Sequence, residues 1–98
     1  MYGSIFNLKV KPGHTKDLLK ALESRTPDGA IAWFVMQPDD KTKDLIAIVV
    51  FKDKKAYQDN ANSPEQHESF LEIMSYLQEE PSWTDGTYIS SEIIQASE

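Results

Sequence analysis

Cysteine is absent from the 98 residues of the sequence, and this absence excludes disulfide bonds, thiolate metal sites and cysteine nucleophiles. Long apolar runs are missing as well. The longest, residues 45–51, is far shorter than the ~20 residues that a membrane-spanning helix needs. Residues 1–10 alternate apolar and polar side chains, so they lack the unbroken apolar stretch of a signal peptide. We therefore expect a cytoplasmic protein without a membrane segment.

Basic residues are few in this chain. Ten Lys and Arg face sixteen Asp and Glu, which gives a net charge of −6 and an isoelectric point near 4.8. Nucleic-acid binding depends largely on neutralising phosphates, and a protein of this charge repels them. The one basic cluster, residues 52–55, contains Asp53 and lies beside Asp59, which favours a solvated helix start. We expect no nucleic-acid partner.

Motifs that hold phosphates, metals or cofactors are also missing. The sequence has no glycine-rich phosphate loop, no nucleophile elbow and no metal-ligand spacing. The acidic pairs at residues 39–40 and 79–80 fall in a turn and at a helix end, without convergent partners. We expect neither a metal ion nor a cofactor.

Hydrophobic periodicity divides the chain into strands and helices. The pattern predicts strands at residues 2–10, 30–37, 45–52 and 87–94, and helices at 14–25, at 53–60 and from 64 to before the proline at 81. The third helix has the strongest start signal, because Ser63 can cap it, Pro64 suits its first position and Gln66 completes a capping box. The β-α-β-β-α-β order predicts an α+β, ferredoxin-like fold with a four-stranded antiparallel sheet. We predict one domain at residues 1–94 and a C-terminal tail at 95–98.

The predicted sheet is apolar on both faces. The second strand carries apolar residues at both parities, Ile31, Trp33 and Val35 against Ala32, Phe34 and Met36. Helices cover only one face, and the other face of a monomer should be polar. An exposed apolar patch of this size marks an interface, and the simplest cover is the same face of a second copy. We therefore predict a homodimer.

Two polar residues in apolar segments are candidates for chemistry. His67 lies on the apolar stripe of the third helix, where it could act as a base or pack at the rim of the core. Asn7 lies in the first strand, where its amide either lines a polar pocket or faces solvent at a strand edge. Several aromatic residues could line a pocket or fill the core: Trp33, Tyr57, Trp83 and Tyr88.

Three stretches of the chain resemble one known family. They are Lys9-Val10-Lys11-Pro12-Gly13, Phe51-Lys52-Asp53-Lys54-Lys55-Ala56-Tyr57 and Asn60-Ala61-Asn62-Ser63-Pro64-Glu65-Gln66-His67. They resemble the antibiotic biosynthesis monooxygenase-like family of the dimeric α/β-barrel superfamily, over roughly residues 1–92. The resemblance implies a homodimer whose two sheets close into an α/β barrel, with a pocket in each subunit between sheet and helices. Characterised relatives oxygenate electron-rich aromatics with dioxygen and without metal or flavin, and others degrade haem.

The resemblance also suggests site residues. Haem-degrading relatives use an asparagine on the first strand, which Asn7 matches, and a helix histidine, which His67 matches about one turn early. Their helix tryptophan falls near Asn60, so haem degradation is the less favoured function. Polyketide oxygenases surround the pocket with Asn, Trp and Tyr groups, for which an asparagine at 60 or 62, Trp33 and Tyr57 could stand in.

The leading hypothesis is a cofactor-independent monooxygenase that acts on a small aromatic or quinol-type substrate, with His67 and Asn7 polarising that substrate. The predicted substrate-binding residues are Trp33, Tyr57, Asn60, Phe70, Met74 and Tyr88. We expect the sheet face of Asn7 to line the pocket and the face of Phe6 to form the barrel. The alternative is a non-catalytic dimeric module that binds a small apolar metabolite or serves as an accessory subunit.

Overall fold

A computed structural model describes residues 1–94 of the chain. The strands are β1 (Tyr2–Leu8), β2 (Ala30–Met36), β3 (Leu45–Phe51) and β4 (Trp83–Thr87), and the helices are α1 (Thr15–Glu23), α2 (Lys54–Ala61) and α3 (Pro64–Ser75). The four strands form one antiparallel sheet in the order β2-β3-β1-β4. This arrangement confirms the predicted ferredoxin-like fold. The predicted tail, residues 95–98, lies outside the described residues.

The strand register divides the side chains of the sheet between two faces. Residues directly opposite in an antiparallel pair share a face, so Phe6 lies with Ala47 and Leu8 with Leu45. This face packs on α1 through a core of Leu8, Leu18, Leu45, Ala47 and Leu77. We call it the helix face, and we call the opposite face, which carries Asn7 and its partner Ile46, the open face.

The sequence-based assignment of the two faces is wrong. The structure places Phe6, not Asn7, on the side covered by helices. Both parities of β2 and β3 are apolar, so the strand pattern alone could not tell which parity the helices cover. Three large apolar side chains remain exposed on the open face: Ile5, Phe34 and Met36.

The last strand also differs from the prediction. The structure places β4 at Trp83–Thr87, and residues 88–94 lie outside any strand. The position of β4 is set by contacts with β1: the Trp83 and Phe6 rings lie 4.3 Å apart, and the Ser4 hydroxyl donates to the Asp85 carboxylate. These contacts outweigh the high strand propensity of the isoleucines after Thr87, because propensity depends strongly on context.

The two C-terminal helices begin at the residues that the sequence indicates. The Asp53 carboxylate accepts a hydrogen bond from the Ala56 amide at 2.7 Å, and the Ser63 hydroxyl accepts one from the Gln66 amide at 3.1 Å. The capping box of α3 is nevertheless only half formed, because the Gln66 side chain turns toward Arg25 instead of the Ser63 amide. The prediction of a complete box is therefore wrong, and Gln66 is available for another role.

β1 and β3 approach each other closely at Gly3. A Cβ atom built on Gly3 would lie 2.0 Å from the Val49 carbonyl oxygen and 3.1 Å from the Tyr88 ring. The Tyr88 amide donates to the Met1 carbonyl at 2.9 Å, which extends the pairing of β4 with β1 by one residue. Glycine is the only residue that fits this contact without backbone movement.

Candidate functional site

A cavity of about 550 Å³ opens between the helix face of the sheet and helices α2 and α3. Its walls are mainly apolar and aromatic, and include Phe6, Trp33, Val35, Phe51, Phe70 and Trp83. A largely apolar concave surface with a few polar groups is typical of a small-molecule site. The cavity is the place where the fold could hold an organic ligand.

The structure brings five of the eight predicted site residues to this cavity. They are His67, Trp33, Tyr57, Asn60 and Phe70. Met74 packs against the hydrophobic core instead of the cavity. Tyr88 lies against Gly3 on the open face, and its hydroxyl is buried without a hydrogen-bond partner among residues 1–94.

Asn7 lies on the opposite side of the sheet from the cavity. Its amide nitrogen donates to the Asp44 carboxylate at 2.8 Å, and its amide oxygen accepts from the Ser82 backbone amide at 2.6 Å. Asn7 therefore ties the residue before β3 to the residue before β4. The structure does not bring Asn7 and His67 to one site, because the face assignment on which that expectation rested is wrong.

His67 contributes an exposed imidazole to the cavity from the first turns of α3. The Ser63 cap and Pro64 start the helix at a fixed position, and this places His67 on the side that faces the sheet. No side-chain hydrogen bond to the imidazole occurs among the described residues, so its orientation is free to follow a ligand. The ring nitrogens of His67 are thus available for hydrogen bonds to a ligand.

One corner of the cavity is polar and contains a cation. The Arg25 guanidinium donates to the Gln66 side-chain oxygen at 2.7 Å and to the Asn60 side-chain oxygen at 3.1 Å. The Asn60 amide nitrogen donates to the same Gln66 oxygen at 3.2 Å. All three residues line the cavity, and Asn60 is buried. We call these three residues the arginine corner.

A second polar group, Tyr57, lies about one turn before Asn60 in α2. Tyr57 stands beside Ser4 and Asp85, and both Tyr57 and Asp85 line the cavity. Burial raises the pKa of the Tyr57 phenol above its usual value, and the negative charge of Asp85 raises it further. Tyr57 therefore stays protonated over the physiological range and can donate a hydrogen bond.

Three polar residues of the cavity were not among the predicted site residues. Arg25 and Gln66 lie beside Asn60, and Asp85 lies beside Tyr57. Arg25 was predicted only as the end of the first helix and Gln66 only as a capping residue, and Asp85 was left between the last predicted helix and the last predicted strand. The hydrogen bonds behind these roles join residues 35, 41 and 81 positions apart, and the local pattern gives no signal for them. The one local indication was a single arginine in a chain whose other cations are lysines.

Within residues 1–94, no group of three metal-binding side chains comes together. The same described part of the chain has no helix that is both long and apolar enough to cross a membrane.

Comparison with known proteins identifies the fold. No protein-family model and no curated protein sequence matches the chain. Solved structures do: Rv0793 from Mycobacterium tuberculosis is 15% identical with a TM-score of 0.75, over 92% of this chain and 96% of that chain. A variant of SnoaB, a cofactor-independent oxygenase from Streptomyces nogalater, is 14% identical with a TM-score of 0.76, over 92% and 94% of the two chains.

A third structure, named antibiotic biosynthesis monooxygenase, is 12% identical with a TM-score of 0.71, over 92% of this chain and 100% of that chain. Identities this low establish a shared fold, and the match extends over nearly the full length of each neighbour. The resemblance inferred from the sequence is confirmed at this level: the chain has the ferredoxin-like fold of structures named antibiotic biosynthesis monooxygenases.

Proposed function

We propose that the protein is a cofactor-independent monooxygenase that acts on a small aromatic or quinol-type substrate. The observation that carries the proposal is the cavity of about 550 Å³, whose aromatic walls and few polar groups fit an aromatic ring system. The shared fold supports it, because SnoaB is named a cofactor-independent oxygenase. Trp33, Tyr57, Asn60 and Phe70 form the substrate-binding surface in this proposal.

His67 is the proposed base. It takes a proton from an acidic methylene or hydroxyl group of the substrate, and the resulting anion reduces dioxygen. For a methylene substrate the reaction balances as R₂CH₂ + O₂ → R₂C=O + H₂O, with one oxygen atom in the product and one in water. The apolar walls exclude water from the anion, so that its charge is available to dioxygen instead of being solvated.

The test is oxygen uptake with anthrones and hydroquinones. Because a positioned base contributes a factor of roughly 10² or more, we expect His67→Ala to lower the rate of uptake by about 100-fold. His14→Ala is the matched control, since His14 lies exposed at the start of α1 beside Asp17 and is not part of the cavity. Equal rates for His67→Ala and the unaltered protein would contradict the role of His67.

A non-catalytic binding module is the second candidate function. The observation that favours it is the imidazole of His67, which has no orienting hydrogen bond among residues 1–94, whereas catalytic bases are commonly held by one. This alternative predicts that aromatic ligands bind in the cavity while oxygen uptake stays at the uncatalysed rate. Calorimetry and an oxygen electrode, applied to the same ligands, separate the two functions.

We further propose a homodimer in which the open faces of two copies pack together. Two features support this pairing: the exposed Phe34 and its neighbours on the open face, and the isoleucines after β4, of which Ile89 is 97% exposed. An apolar surface of this kind is covered most simply by its own copy across a two-fold axis. Light scattering should give a mass twice the 11.1 kDa of one chain.

A further inference from the structure

We propose that the arginine corner binds the carboxylate of the ligand, so that the cavity selects aromatic acids over neutral aromatics. This inference rests on the proposed function, because it assigns a substrate class to the same cavity. The corner consists of Arg25, Asn60 and Gln66, and no part of the sequence-based hypothesis used its charge.

The first argument is the state of the Arg25 charge. Its guanidinium meets two neutral amide oxygens, and no carboxylate lies within ion-pair distance of it among residues 1–94. This is unusual in a chain with sixteen acidic residues and a net charge of −6. A partly buried cation without a counter-ion attracts an anion from outside the protein.

The second argument is the orientation of the two amides. Arginine can only donate hydrogen bonds, so the oxygens of both Gln66 and Asn60 must point at the guanidinium. The Asn60 amide nitrogen is used by the Gln66 oxygen, while the Gln66 amide nitrogen has no acceptor in the described part of the chain. Arg25 has five N–H donors and uses two of them here. The corner therefore offers the cavity several unused donors, while the Gln66 oxygen already accepts two hydrogen bonds.

The third argument is the position of the corner relative to the rest of the cavity. Tyr57 and Asn60 are three residues apart on α2, which separates them by about 4.5 Å along the helix axis. Asp85 lies at the Tyr57 end and would repel an anion there, whereas Arg25 lies at the Asn60 end. The carboxylate is thus directed to the arginine corner, and the ring of the ligand extends over the aromatic walls.

The geometry of the ion pair makes a carboxylate the expected anion. A guanidinium presents paired N–H groups in a plane, and these match the two oxygens of a carboxylate. The Gln66 amide nitrogen can add a third bond. A neutral carboxamide of the same shape has one oxygen acceptor, and its nitrogen carries two N–H donors. Those N–H groups would face the N–H donors of the arginine corner, so the carboxamide should bind more weakly.

The test compares 2-naphthoate with 2-naphthamide, which differ only in charge and in one hydrogen-bonding group, by isothermal titration calorimetry. We expect the unaltered protein to bind 2-naphthoate at least about tenfold more tightly, because hydrogen bonds to a charged partner are stronger than those between neutral groups. Arg25→Met should remove this preference, so that the affinities for the two ligands come within about twofold of each other. Lys20→Met, which removes a cation from α1 at an exposed position outside the cavity, should keep the preference.

Arg25→Lys provides a second readout if Arg25→Met does not fold. It keeps the charge and most of the stem but loses the planar fork, so the preference should fall several-fold without disappearing. Equal affinity of the unaltered protein for the two ligands would overturn the inference and leave the aromatic-binding cavity intact. Failure of both ligands to bind would overturn the inference and would also count against the cavity as a site for aromatic ligands. Oxygen uptake with neutral anthrones tests the proposed function separately.

Discussion

Gly3→Ala should destabilise the protein by about 3 kcal/mol or more, or prevent folding. The added Cβ would lie 2.0 Å from the Val49 carbonyl oxygen, and a backbone atom cannot rotate away as the end of a flexible side chain can. β1 is an inner strand of the sheet and pairs with both β3 and β4. Relief of the clash therefore requires β1 to move relative to two neighbours, which places this change among the strongly destabilising class of mutations.

Gly86→Ala is the matched control for this change. Gly86 lies directly opposite Gly3 in the β1–β4 pair, but a Cβ on Gly86 would meet no atom within 4 Å. We expect its free energy of unfolding to stay within about 0.5 kcal/mol of the original in urea titrations followed by circular dichroism. Similar denaturation midpoints for Gly3→Ala and Gly86→Ala would contradict the close approach of β1 to β3 at Gly3.

Phe34→Asp should weaken the proposed homodimer by at least about 100-fold, or roughly 2.7 kcal/mol. Phe34 is 62% exposed on the open face, so its replacement costs the single subunit little packing. In the homodimer, the two-fold axis places one substituted residue on each side of the interface. Both new carboxylates would be transferred from water into an apolar interface. Sedimentation equilibrium over a range of concentrations gives the dissociation constant directly.

Leu71→Asp separates this effect from a general loss of surface hydrophobicity. Leu71 is 55% exposed on α3, on the side of the molecule away from the open face, and the change introduces the same charge. We expect Leu71→Asp to leave the dissociation constant unchanged. If Phe34→Asp and the unaltered protein show the same mass at every concentration, the open face is not the interface.

The sequence predicted most elements of this fold because their signals are local. Asp53 and Ser63 cap helices through bonds to residues three positions away, and Pro64 occupies the first position of α3. The structure has both helices where these residues place them. The alternation in β1 and the turn residues after it are equally local. Boundaries of this kind need no knowledge of the remainder of the chain.

The errors arose where distant segments decide the outcome. β4 begins at Trp83, because that side chain meets Phe6 and Asp85 meets Ser4, and neither pairing is visible in the composition of the segment. The face of Asn7 was misassigned because β2 and β3 are apolar on both faces. Their sequences do not indicate which of the two faces the helices cover. A sequence with polar residues on one parity of β2 would have resolved the choice.

The sequence predicts which side chains line the site better than it predicts the hydrogen bonds between them. An amphipathic α3 starting at Ser63 indicated that His67 and Phe70 face the sheet, and both line the cavity. The hydrogen bonds that join Arg25 to Asn60 and Gln66 cross 35 and 41 positions, so they depend on how α1 lies against the C-terminal helices. Such networks follow from tertiary packing and have no sequence period.

The placement of Trp33 and Trp83 gives the cavity its own spectroscopic reporter. The chain has two tryptophans, both belong to the cavity wall, and they are 37% and 46% exposed. Their indole emission therefore arises entirely from the surface that a ligand would cover, and water now reaches both rings. Occupation of the cavity would remove that water and shift the emission to shorter wavelength, so unlabelled protein carries an optical signal for ligand screening without any added probe.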